Sequence, residues 1–142
     1  MALSSLVPQT AGSLVAILAL AGLAKWMRLG RAPTLVDDAA VRRAASEVED
    51  GFVPVSIARD KDGTAALARD GNGRIMVIKR HGNRFAGRVL GDRAAATLSI
   101  DHDDASLAIM TGETLFGDVR IVVDDPDAWV AAINRLSGSQ HA

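Results

Sequence analysis

Cysteine and tyrosine are both missing from this 142-residue chain. Without cysteine there is no disulfide, thiolate nucleophile, iron–sulfur cluster or Cys-type zinc site. Excess charge is missing too. The formal net charge is −1, so neither nucleic-acid binding nor an acidic substrate follows from the overall balance. Histidine is scarce: His81, His102 and His141 are the only three, and His141 falls in a Ser/Gly/Gln tail. No charged side chain occurs from Met1 through Ala24.

That last absence is the most informative. The apolar run over 6–27 contains Leu14-Val15-Ala16-Ile17-Leu18-Ala19-Leu20-Ala21 and closes on Lys25, Trp26 and Arg28. As a helix it rises roughly 30 Å, the thickness of a bilayer's hydrocarbon core. Pro8 is expected in the first turn, where its missing N–H costs little. Trp26 suits the interface and Lys25 can snorkel there. Lys25, Arg28 and Arg31 flank the C-terminal end, while the N-terminal side carries only the α-amino group. The positive-inside rule then leaves the N-terminus outside and puts the remainder in the cytoplasm. The sequence therefore reads as a single-pass membrane protein with the bilayer as its first partner. Two rival readings stay open, a cleaved signal peptide and a buried helix of a soluble protein. Against the signal peptide, the n-region has no positive charge and basic residues follow the apolar core.

Four segments follow: an anchor over 1–28, a linker with a short helix over 29–51, a β domain over 52–136 and a tail over 137–142. Thr34-Leu35-Val36-Asp37 resembles a capping box. Asp37 and Asp38 suit the positive end of a helix expected to run to Val48 and stop at Gly51. Val41, Ala44, Ala45 and Val48 make a narrow stripe of small residues, expected to pack within the chain. Beyond Phe52, short apolar stretches alternate with turn clusters, predicting strands near 52–59, 64–69, 74–81, 84–90, 95–101, 105–110 and 118–124. Asp60-Lys61-Asp62-Gly63, Asp70-Gly71-Asn72-Gly73 and Gly82-Asn83 supply the turns. A last helix begins at Asp125-Pro126-Asp127 and shows Trp129, Ala132, Ile133 and Leu136 on one face.

Seven antiparallel strands followed by one helix carrying Trp129 resemble the pleckstrin-homology-like superfold, a strand barrel capped at one end by the final helix. The resemblance covers about 52–136. It implies a binding module for lipid, peptide or protein, and no particular one of these. In lipid-binding relatives the first hairpin carries the basic residues; here that turn is the short, mixed-charge Asp60-Lys61-Asp62-Gly63.

Charge is segregated along the domain. Arg74, Lys79, Arg80, Arg84, Arg88 and Arg93 face a single Asp92 between 74 and 93, whereas eight acids oppose only Arg120 between 101 and 127. If Gly82-Asn83 is a two-residue hairpin loop, His81 pairs with Arg84, Lys79 with Ala86 and Val77 with Arg88. Met76, Ile78, Phe85 and Val89 then form a core layer, and Lys79, His81, Arg84 and Arg88 an outward basic patch. That patch is either a solvated strand face or a contact for anionic headgroups or a partner protein. Nucleic acid is not expected, because Phe85, the only nearby aromatic, belongs to the core.

No catalytic set, metal site or cofactor is expected. Asp101-His102-Asp103-Asp104 lies between strands, where Asp and His are ordinary turn residues, and no second ligand group accompanies it. Asp60-Lys61-Asp62-Gly63 opens like an EF-hand loop, but its glycine comes too early and the twelfth position is Gly71. The reading is a non-enzymatic, membrane-anchored binding module, an accessory or scaffold subunit with a possible membrane-protein partner. Binding of anionic lipid on the cytoplasmic leaflet is the alternative.

Overall fold

The computed structural model describes residues 3–27, 32–102 and 104–138. The chain divides into two compact units, Met1–Ala32 and Pro33–Ala142.

The first unit is one helix, α1 (Leu3–Trp26). Its apolar residues are spread around the axis instead of lying on one stripe, and Leu14, Val15, Ile17, Leu18 and Leu20 are all exposed. The stretch Leu6–Trp26 is long and apolar enough to cross a membrane. Pro8 sits in the second turn, not the first, so α1 lacks one backbone donor there. Lys25 and Trp26 close the helix, whereas Arg28 and Arg31 lie outside the described residues.

The second unit begins with an extended segment, in which the Leu35 N–H donates to the Gly63 carbonyl at 2.8 Å. The cap of α2 (Asp38–Val48) is Asp37 and not Thr34: its carboxylate accepts from the Ala40 N–H at 2.8 Å. Extended φ/ψ at Asp37 permits this, and Asp38 adds favourable charge in the first turn.

Seven antiparallel strands follow in two sheets. Strands β1 (Pro54–Arg59), β2 (Ala65–Asp70), β3 (Ile75–His81) and β4 (Arg84–Val89) make the first, in that order. Strands β5 (Ala95–Asp101), β6 (Asp104–Met110) and β7 (Val119–Ile121) make the second. The hairpin register expected for β3–β4 is the one formed, with His81 opposite Arg84, Lys79 opposite Ala86 and Val77 opposite Arg88.

The barrel expected from the strand count does not form. Among the described residues no ladder joins β4 to β5 or β7 to β1, and β7 is only three residues long, so both sheets stay open. One corner is closed by two single bonds: the Lys61 N–H donates to the Val122 carbonyl at 3.2 Å, and the Val122 N–H to Asp60 Oδ1 at 2.7 Å.

The two central strands of the first sheet, β2 and β3, are buried on both faces over most of their length. One side carries Ala66, Ala68, Met76 and Ile78 against Val41, Ala44 and Ala45 of α2, with Leu35 and Phe52 completing the layer. Close approach of α2 requires Gly87, where an added Cβ would lie 2.7 Å from Val48 Cγ2. The other side carries Leu67, Ile75 and Val77 against Leu107, Ile109 and Ile121 of the second sheet. The last helix, α3 (Pro126–Gly138), seals this core with Ile133, Trp129, Ala132 and Leu136, the face expected from their spacing, plus Val130. Asp125 caps it, accepting from the Ala128 N–H at 3.4 Å.

Candidate functional site

The β3–β4 hairpin carries the basic residues, and its register puts Lys79, His81, Arg84 and Arg88 on one face. That face is not simply outward. Its inner part, at Val77 and Leu67, is core, while Lys79 and His81 beyond Val77 and Arg88 opposite it reach the surface. Two of the four cations are taken up there by the segment between β6 and β7. Lys79 Nζ donates to the Phe116 carbonyl and lies 4.4 Å from the Phe116 ring centroid. The Arg88 guanidinium lies 5.5 Å from the same ring and pairs with Glu113 Oε2 at 2.8 Å. Phe116, 6 % exposed, therefore has two cations over its ring. His81 and Arg84, at the hairpin tip, are exposed, and no ion pair engages them among the described residues. The four residues are thus split: two lock a loop and two remain open to a ligand.

The neighbouring Arg80 points to the other face, where Nη1 donates to the Pro33 carbonyl at 3.3 Å. The hairpin that carries the open cations therefore also holds the point where the chain enters the domain.

A second concentration of charge lines a groove of about 450 Å³ between β1 and the start of α3, with Arg59, Asp60, Lys61, Asp124 and Trp129 in its wall. Its polar groups are mostly committed to structure. Arg59 pairs with Asp38 at 3.4 Å and donates to the Val36 carbonyl at 2.7 Å. Asp60 accepts from Val122, Asp62 and Thr64, fixing the β1–β2 turn. Lys61 lies 4.0 Å from Asp104.

Of the Asp101–Asp104 cluster, Asp103 lies outside the described residues. His102 takes φ 48° in the turn and contacts Asp101 Oδ1 through Nδ1 at 2.5 Å, with its ring in solvent. Among the described residues no group of three His, Asp or Glu side chains could hold a metal. His141 lies outside them.

Sequence reasoning missed the partner of the basic hairpin, the Thr111–Gly117 loop. Two of its bonds give it shape: Thr111 Oγ1 donates to the Gly117 carbonyl at 2.8 Å, and the Gly117 N–H to the Glu113 carbonyl at 2.9 Å. A Phe one residue from a turn glycine was the available signal.

No family model, curated protein or solved structure matches this chain.

Proposed function

We propose that the chain is a non-enzymatic binding module held in a membrane by α1, an accessory or scaffold subunit of a larger membrane complex. The observation that carries this reading is the long, predominantly apolar and exposed stretch Leu6–Trp26 of α1, which ends in a lysine and a tryptophan. Four strands, three strands and a final helix bearing Trp129, in that order, support a pleckstrin-homology-like relationship for the domain. The cluster Lys25, Arg28 and Arg31 at the C-terminal end of the apolar run favours the cytoplasmic side for the domain. The structural engagement of Arg59, Asp60 and Lys61 around the groove between β1 and α3 favours binding over catalysis.

Two measurements test this. Carbonate-resistant membrane association, with a single cysteine at Ser137 labelled only after the cytoplasmic face is opened, is the expected topology result. Release by carbonate would defeat the anchor. Extraction in mild detergent with native-gel sizing should then give a stoichiometric membrane partner, lost on charge reversal at Arg84. A second reading, an anionic-lipid binder, is favoured by the open cations at the hairpin tip. Migration with phospholipid as sole companion would select it.

A further inference from the structure

One side chain of the domain stands out for its exposure: Leu115, at 100 %. A lone exposed leucine ordinarily needs no account. This one is presented by a fixed support. Phe116, the next residue, is buried with Lys79 and Arg88 over its ring, and the Thr111–Gly117 bonds close the loop behind it. Gly112 and Gly117 take φ of 77° and 78°, which lets the chain reverse tightly on both sides of the tip. An apolar tip that is already ordered loses little freedom when it is buried by something else.

Its surroundings indicate what that something is. Lys79 and Arg88 flank the loop base, and Arg84 lies on the same face of the hairpin. Against them stand Glu113, paired with Arg88, and Asp118 beyond Gly117. The balance is cationic by one charge, with Arg84 left open. The same hairpin binds Pro33, the first residue of the domain unit, through Arg80. From Met27 to Pro33 the chain has six peptide units, a reach of at most ~21 Å.

We propose that the Thr111–Gly117 loop is a membrane-contact element of this anchored protein. Leu115 enters the interfacial zone of an anionic leaflet, and Arg84 meets the lipid headgroups. Lys79 and Arg88 are positioning residues: they hold Phe116 and so aim Leu115. The inference rests on the anchored reading of α1 and adds to it a second, reversible contact. An apolar tip combined with nearby cations makes that contact depend on both lipid charge and salt.

The chain has no cysteine, so single labels are clean. Full-length protein with Leu115→Cys or Asn83→Cys carries an environment-sensitive fluorophore; Asn72→Cys, in the turn at the other end of the hairpin sheet, is the control. Each is reconstituted into nanodiscs of phosphatidylcholine alone or with phosphatidylglycerol. The expected result is blue-shifted, brighter emission at 115 and 83 in anionic discs only. It should reverse at about 1 M salt, where the screening length falls to ~3 Å. Leu115→Asp, read through the label at 83, should lower the docked-to-free ratio by about tenfold or more. Water-like emission at 115 from protein that has entered anionic discs overturns this inference alone. Protein that does not enter the discs overturns it together with the anchor.

Discussion

Asn134 closes the free edge of β5: its Oδ1 accepts from the Ala96 N–H and its Nδ2 donates to the Ala96 carbonyl, both at 2.9 Å. One amide side chain on α3 thus does for Ala96 what a neighbouring strand would do, at the place where the two sheets fail to join. Removing it leaves two buried backbone groups without partners, because Ala96 is 3 % exposed. Asn134→Ala should cost about 1–3 kcal/mol. It should also open an edge to other chains, seen as concentration-dependent growth in light scattering. An Asn134→Ala protein with an unchanged denaturation midpoint would show that α3 is held by its apolar face alone.

Gly87 sets the distance between α2 and β4. A methyl group added there would meet Val48 Cγ2 at 2.7 Å and Cγ1 at 3.2 Å. Gly87→Ala should therefore destabilise by about 1–3 kcal/mol, as overpacked sites do. Val48→Ala in the same chain should recover part of that loss, because it removes the atoms that clash. Additive losses in the double variant would place the strain elsewhere in the sheet.

The elements themselves were readable from pattern, and the reasons are local. Turn chemistry at Gly82-Asn83 fixed the β3–β4 register, and the i, i+3, i+4, i+7 spacing of Trp129, Ala132, Ile133 and Leu136 fixed the inner face of α3. What pattern could not settle was which surfaces meet. Ala65-Ala66-Leu67-Ala68 and Ile75-Met76-Val77-Ile78 do not alternate, the sign of a sheet covered on both sides. Assigning Val77 and Lys79 to an outward face overlooked that sign. Lys79 can lie at the core's rim because its stem is apolar and its ammonium reaches the Phe116 carbonyl. The cap at Asp37 in place of Thr34 arises because Leu35 is drawn into the core and hydrogen-bonded to Gly63. Such long-range pairings leave no trace in local spacing.

Phe116 should control the mobility of its loop. The two cations at its ring and the carbonyl bond from Lys79 tie residues 112–117 to the hairpin, beside the Arg88–Glu113 pair and the apolar packing of Phe116 in the core. Phe116→Leu keeps an apolar plug and removes the ring face, a change worth about 0.5–1 kcal/mol. Amide exchange at 113–117 should quicken several-fold while exchange in β2 and β3 stays as it was. Equal quickening throughout would mean that the ring contributes to the whole core and not to the loop.

Asp70 gives the domain a defined response to acid. It is 4 % exposed, and burial by itself raises the pKa of a carboxyl. The Arg74 side chain at 2.6 Å outweighs that, together with the backbone N–H groups of Arg74 at 2.9 Å and Asn72 at 3.0 Å. The net result holds the carboxyl below its usual range. Because the folded value is the lower one, the unfolded chain binds the extra proton as the solution is acidified. The stabilisation is complete above the ordinary Asp value of about 3.9 and is lost as pH falls toward the folded value. Asp70→Asn should therefore destabilise the full-length protein in nonionic detergent by about 1–3 kcal/mol near neutrality. The gap from the parent protein should narrow as pH falls through about 4, the ordinary Asp value, and below it, as the parent loses its advantage. Parallel melting curves for the two proteins over that fall in pH would mean that Arg74 holds the turn without favouring the ionised acid.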